Sequence, residues 1–189
     1  MKIERYSLAA LMVFCILTGG LIAYGYKLFL SAGTKEGPEP MPGKSLPKTA
    51  KVRTHLYFLD SDHRFLKAEE RTLVQQDGVV ERARSMVYAL IDGPRGGLLP
   101  TVPAETRLLA LYVAENGIGY VDFDRAISEK HPGGSLSELF TIFSIVNTLA
   151  LNIPEIEAVK ILIDGREAET LAGHIDIRFP FRPNILMIK

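Results

Sequence analysis

The sequence predicts an α+β fold: a mainly antiparallel sheet with two helices packed on one face, preceded by one transmembrane helix. Along residues 52–189, pairs of strand patterns alternate with helical patterns, an order typical of α+β domains. Ahead of them lies a stretch of 21 residues, positions 6–26, that contains no charged side chain. At about 1.5 Å per residue this stretch would form a helix about 31 Å long, enough to cross a bilayer.

The chain divides into three predicted parts. Residues 1–30 are predicted to be a cytoplasmic amino-terminal tip and a transmembrane signal anchor, because the apolar stretch is longer than that of most cleaved signal peptides. Cleavage after Ala32 is the alternative. Residues 31–51 are rich in proline and glycine and predict a semi-stiff linker. Residues 52–189 are predicted to be the folded domain.

The orientation of the anchor is only weakly encoded, because lysine or arginine flanks both of its ends. A short leading tail followed by a single span is the usual arrangement of a signal anchor, and it favours a cytoplasmic amino terminus. We therefore expect a single-pass protein of the cell membrane with an extracytoplasmic carboxy-terminal domain.

Within the domain, hydrophobic periodicity and turn residues locate each element. The predicted order is a strand at 52–59, a return strand at 65–74, a helix ending at Gly93-Pro94, strands at 106–114 and 118–123, a helix from Ser135 towards Pro154, and strands at 159–163 and 169–177. Asn116-Gly117 between the third and fourth strands is a strong hairpin signal, since both residues tolerate positive φ. Ser135 and Glu138 have the spacing of a capping box.

Charge and cysteine content exclude several classes of function. Residues 52–189 carry 15 Lys or Arg against 19 Asp or Glu, and this mildly acidic balance argues against a nucleic-acid partner and against tight electrostatic binding to anionic lipid. The single cysteine, Cys15, excludes an intramolecular disulfide and a cysteine-based zinc site.

Two acidic clusters could suggest a metal site, but their spacing does not fit one. Asp60, Asp62 and His63 form one cluster, and Asp122 and Asp124 form the other. Neither has the spacing of a calcium loop, and neither has two histidines at helical separation. We interpret them as a polar hairpin turn and a strand end, and we predict no metal.

The remaining candidates for chemistry are a glycine loop and two histidines. The loop at residues 93–97 lacks a Gly-Lys-Ser/Thr motif and leaves a helix rather than entering one, so it does not resemble a phosphate-binding loop. His131 and His174 could act as catalytic bases only with a nucleophile beside them, and the sequence contains no recognisable nucleophile turn. We therefore predict no catalytic residue, no cofactor and no enzymatic activity.

Five residues are candidates for other roles. Asn147 lies on an otherwise apolar helix, where an unpaired buried amide would cost on the order of 1–3 kcal/mol, so we expect it to find partners and, with Thr148, to act as a structural polar anchor. A ligand contact is the alternative role. Leu98, Leu99 and Val102 in the glycine and proline loop are the candidate partner contact, with a lid over the core as the alternative.

Several motifs between residues 52 and 180 together resemble the GerMN domain of sporulation and spore germination proteins. They are Leu56-Tyr57-Phe58, Glu81 through Leu90 leading to Gly93-Pro94, Leu98, Pro103, Val121-Asp122-Phe123, Glu138, Ile145 through Leu149, and Val159 through Gly165 followed by Thr170 through His174. The resemblance implies an α/β extracytoplasmic module of the cell envelope without known catalytic activity. It also implies cell-envelope proteins as partners, among them proteins associated with cell-wall amidases. The founding type carries two copies of the domain, whereas this chain carries one.

These observations together predict a non-catalytic binding or assembly module, tethered to the membrane, in cell-envelope or cell-wall processes of the sporulation and germination kind. Self-association into a homo-oligomeric envelope scaffold is one alternative. A cell-wall hydrolase acting through Asp122 or His174 is another.

Overall fold

The computed structural model describes residues 50–189 and, in the amino-terminal part, Lys27. The predicted tip and signal anchor, and the predicted linker up to residue 49, therefore lie outside the described residues apart from that lysine. Among the helices of the described part, none is long and apolar enough to cross a membrane.

Within residues 50–189 the chain forms five strands, three α-helices and one 3-10 turn, which confirms the α+β class. In order these are β1 (Lys51–Leu59), β2 (Leu66–Val74), α1 (Val79–Ile91), β3 (Leu108–Val113), β4 (Ile118–Phe123), α2 (Ala126–Glu129), α3 (Ser135–Asn152), β5 (Ala158–Ile163) and the 3-10 turn Ile185–Met187. The four-residue helix α2 was not predicted, because it is too short to show a periodic pattern.

The predicted single sheet is wrong, because the strands form two sheets. β1 and β2 pair as an antiparallel hairpin, and β3, β4 and β5 form a second sheet with β4 in the centre. β3 and β4 are antiparallel and joined at the predicted Asn116-Gly117 turn, where Gly117 has φ 78°. β5 runs parallel to β4. A parallel pair needs a crossover connection, and the segment containing α3 supplies it.

Residues 169–177 do not form the predicted last strand. Their backbone makes one isolated bridge between Thr170 and Asp176. The chain bends there at Gly173, where φ is 108°. The N–H groups of His174 and Ile175 bind a side chain of α3 instead of a neighbouring strand.

The main core forms where α1 and α3 pack on each other and on strands of both sheets. Phe58 of β1, Leu90 of α1, Phe123 of β4 and Ile145 and Leu149 of α3 are all fully buried. The helix α3, which is apolar over most of its circumference, is therefore central to the core.

Polar side chains of α3 cover the edge of β1 that faces away from β2. Asn152 accepts from the N–H of His55 at 3.0 Å and donates to its carbonyl at 2.8 Å. Thr148 Oγ1 accepts from the N–H of Tyr57 at 3.1 Å, and Ser144 donates to the carbonyl of Tyr57. An open strand edge invites pairing with another chain, and along these residues the helix closes it.

Candidate functional site

Glu138 does not form the predicted capping box. Gly134 is the N-cap of α3, and no side chain caps the helix there. The Glu138 side chain is fully buried, and its carboxylate accepts from the N–H of His174 at 3.1 Å and from the N–H of Ile175 at 2.9 Å. Nδ1 of His174 lies 2.7 Å from Glu138 Oε1. The carboxylate therefore organises a loop 36 residues further along the chain.

Burial alone would raise the pKa of Glu138. The N–H of Ile175 and the ring of His174 lower it, and together with the other donors they hold the pKa below its ordinary value. Hydrogen bonds to an ionised carboxylate are stronger than those between neutral groups, so Glu138 remains charged where it is buried.

His131 is engaged in a separate hydrogen-bonded chain. Its Nδ1 accepts from the N–H of Gly133 at 3.0 Å, and its Nε2 lies 2.9 Å from Thr141 Oγ1. The Thr141 hydroxyl donates to the carbonyl of Thr101. Burial lowers the pKa of His131, while the charge of Glu138 acts in the opposite direction. The hydroxyl proton of Thr141 points to a carbonyl and not to the imidazole, so this pair lacks the geometry of a base activating a nucleophile.

The carboxylates of the two acidic clusters are likewise bonded within the fold. Asp60 accepts from the N–H groups of residues 64–65 in the turn of the first hairpin. Asp122 accepts from the backbone after β5 at 2.8 Å, and Asp124 binds both the N–H and Nε of Arg107. Across the described residues, no three His, Cys, Asp or Glu side chains lie together as a metal site would require.

The glycine loop binds an anion that the protein itself provides. Glu69 Oε2 accepts from the N–H of Arg95 at 2.8 Å and of Gly96 at 3.0 Å. Arg71 donates to Glu69 and to the carbonyl of Gly93. Burial alone would raise the pKa of Glu69, but these donors outweigh that effect and hold the pKa below its ordinary value. The N–H groups of the loop are therefore already bonded to a carboxylate of the chain itself.

Asn147, the candidate polar anchor, is fully buried. Its Nδ2 donates to the carbonyl of Asn184 at 3.1 Å, and its Oδ1 accepts from the N–H of Asn184 at 2.8 Å. The amide thereby satisfies both backbone groups of one residue near the carboxy terminus. Thr148 contacts β1 as described above. Nothing in the local sequence distinguishes Asn184 as the partner, since it lies 37 residues away.

The three candidate contact residues differ in exposure. Val102 is 3% exposed and belongs to the core, whereas Leu98 and Leu99 are half-buried. Leu99 exchanges two backbone hydrogen bonds with Leu59, at 3.1 and 2.8 Å, which extend the covered edge of β1. A partner contact at this loop would therefore involve Leu98 and Leu99 and not Val102.

Two open grooves include residues of this loop in their linings. One, of about 600 Å³, includes Leu98 in its lining. The other, of about 590 Å³, is here called the Leu99 groove, and its lining includes Leu59, His63, Leu99, Pro100, Leu136 and Phe140. Leu136 is 55% exposed. The Leu99 groove is thus a largely apolar surface at the amino-terminal end of α3.

Four solved chains match this sequence and its fold, and three of them are as follows. A candidate lipoprotein from Clostridium perfringens is 27% identical with a TM-score of 0.52, and the match covers 70% of this chain and 88% of that one. The first GerMN domain of the sporulation protein GerM from Bacillus subtilis is 19% identical with a TM-score of 0.56, covering 70% and 96%. The tandem GerMN domains of GerM give the same identity and score, covering 69% and 46%.

The two GerM structures share the fold with this chain, and at 19% identity they show no more than that. No curated protein matches the sequence. The Germane family model, described as sporulation and spore germination, matches residues 55–169. Because that match spans more than half of the sequence and agrees with the motifs identified above, this chain belongs to the Germane family of sporulation and spore germination domains.

Proposed function

We propose that this chain is a non-catalytic binding or assembly module of the cell envelope. In this proposal residues 6–26 anchor it as a single-pass membrane protein, residues 31–51 act as a linker, and residues 52–189 lie on the extracytoplasmic side. Its partners are proteins of the envelope or cell wall, in processes of the sporulation and germination kind.

What carries the proposal is the contrast between the bonded polar side chains and the open apolar groove. Glu138, Glu69 and Asp122 all accept from backbone N–H groups, so they serve the folding of loops. A catalytic acid or base must lie within hydrogen-bond reach of the substrate proton that it transfers, whereas these carboxylates are bonded to the chain's own backbone. The Leu99 groove, in contrast, leaves apolar side chains open to a partner.

One of the similar chains supports the envelope setting. The Clostridium perfringens chain is described as a candidate lipoprotein, and a lipoprotein is attached to a membrane by a lipid. An apolar amino-terminal helix would give the present chain an equivalent attachment.

The partner contact can be tested by photo-crosslinking in intact cells of the source organism. A benzoylphenylalanine at position 99 is expected to give an adduct with an envelope protein. The matched control carries the same group at Leu109, another partly exposed leucine, at 48% exposure, and is expected not to give this adduct. The same adduct from both positions, or none from either, would contradict the proposal. An adduct of the chain with itself would favour the homo-oligomeric scaffold.

The location can be tested by cysteine labelling. In a Cys15→Ser background, Asp62→Cys places a thiol on the exposed turn between β1 and β2. A membrane-impermeant maleimide should label it in intact cells, whereas Lys2→Cys should be labelled only after lysis. The reverse pattern would place the domain in the cytoplasm.

The hydrolase alternative has its own test. Cell-wall polymer incubated with the purified protein should show no turnover. Turnover that His174→Ala or Asp122→Asn abolishes without unfolding the domain would refute the non-catalytic assignment.

A further inference from the structure

Charge is unevenly distributed along the domain. Residues 52–176 contain 12 Lys or Arg and 19 Asp or Glu, whereas residues 177–189 contain three basic residues and no acidic one. The basic residues are Arg178, Arg182 and Lys189. The mildly acidic total thus conceals a basic carboxy-terminal segment, here residues 177–189.

The same segment carries the most exposed large apolar side chains of the described residues. Leu186 is 83% exposed, Phe179 is 70% exposed and Ile185 is 67% exposed. Single exposed leucines are common on protein surfaces. Three such residues within eight positions, next to basic side chains, are a different pattern.

The segment is held firmly along α3. Phe181 packs edge-on against Phe143, with ring centroids 5.9 Å apart. Asn184 exchanges two hydrogen bonds with Asn147. Positions 143 and 147 are four residues apart and so lie on one face of the helix. The segment therefore crosses that face of α3, and Phe179, Ile185 and Leu186 stay exposed to solvent.

Two of the three basic side chains of the segment, those of Arg182 and Lys189, remain available. Arg182 is 75% exposed and makes one long ion pair with Glu157, at 3.4 Å. Lys189 Nζ lies 5.6 Å from the centre of the Phe65 ring. Arg178 is more strongly engaged, at 2.7 Å from Asp176. Exposed ion pairs contribute little, so Arg182 can exchange its partner for another anion.

We propose that the carboxy-terminal segment is a peripheral membrane-binding surface specific for anionic phospholipid. Ile185 and Leu186 enter the boundary between headgroups and acyl chains, and Arg182 and Lys189 bind lipid phosphates. Exposed aliphatic side chains flanked by lysine or arginine are the arrangement that binds such interfaces. The carboxy-terminal segment lines neither groove beside the loop of Leu98 and Leu99, so its exposed side chains form a separate contact surface.

This inference goes beyond the proposed function, since it assigns a second contact on a different surface. It does not depend on the Leu99 groove or on which side of the membrane the domain lies. A failure of the crosslinking or labelling tests above would leave it unaffected.

The absence of tryptophan from the sequence provides a clean test. Leu186→Trp introduces a single fluorophore at the most exposed apolar site, and Tyr88→Trp, at a position 46% exposed on α1, is the control. The full-length chain is reconstituted into vesicles of phosphatidylcholine alone or of an equimolar mixture with phosphatidylglycerol. Brominated acyl chains in parallel vesicles act as quenchers.

In the mixed vesicles we expect the emission of the Leu186→Trp variant to shift to the blue and to be quenched by the brominated lipid. The control should change in neither respect. Replacing Arg182 and Lys189 by glutamine should reduce the docked population about fivefold for each charge removed, and high salt should act in the same direction.

Three results would overturn the proposal. One is emission from Leu186→Trp that is unaffected by phosphatidylglycerol. Another is equal quenching of the control, which would show that the domain contacts lipid without a specific surface. The third is a blue shift in detergent that grows with protein concentration, which would assign the segment to a second copy of the chain.

Discussion

Glu138→Gln tests whether the buried carboxylate of α3 holds the loop around His174 in place. The substitution preserves the volume of the side chain but removes its charge, and it turns an NH₂ group towards the N–H of His174 or Ile175. Hydrogen bonds to a charged group contribute about 1.5–3 kcal/mol each. Because glutamine keeps one acceptor, we expect the free energy of unfolding to fall by about 2–4 kcal/mol at neutral pH.

The pH dependence gives this prediction a second, independent readout. The pKa of Glu138 is lower in the folded chain than its ordinary value of 4.5, so the unfolded chain binds the proton more tightly. The stabilisation is therefore complete above about pH 4.5 and is lost as the pH falls through the folded pKa. The difference between wild type and Glu138→Gln should be largest near neutrality and should shrink in acid.

Urea unfolding of the domain, followed by circular dichroism from neutral to acidic pH, would measure both effects. Glu129→Gln is the matched control, because Glu129 is 60% exposed and makes only a 4.0 Å ion pair with Arg125. A Glu138→Gln variant as stable as this control, or a stability difference that grows in acid, would refute the reasoning.

Two further substitutions test other polar contacts. Asn147→Ala leaves both backbone groups of Asn184 without partners and should lower the free energy of unfolding by about 2–3 kcal/mol. The control Asn152→Ala should cost less, because His55 is exposed and water can replace the lost amide. Equal losses of stability in urea unfolding would contradict this prediction. Glu69→Ala removes the acceptor of the glycine-loop N–H groups, so their amide hydrogens should exchange faster with solvent, as measured by NMR. Glu70→Ala, which changes the exposed neighbouring carboxylate, should leave the exchange rates unchanged. Equal protection in both variants would show that Glu69 does not order the loop.

Local patterns were sufficient to predict most of the regular structure. The spacing of Val80, Ala83, Val87 and Leu90 predicted α1, and the Asn116-Gly117 turn predicted the hairpin of β3 and β4. Such signals work because helix periodicity, strand alternation and positive φ involve only residues that are close in sequence. The separation into two sheets and the parallel pairing of β5 depend on how the crossover segment packs on the strands. No short stretch of sequence carries that information.

The candidate site shows the same division. The sequence alone indicated that Asn147 would need a partner, because an unpaired amide in a core is costly. It also identified the family through its motifs. Only the tertiary structure decided that the partner is Asn184, that Glu138 binds the loop at His174 instead of capping its helix, and that Val102 is buried. A side chain's burial preference is a property of its own chemistry, whereas its hydrogen-bond partner is whichever distant segment the completed fold brings within about 3 Å.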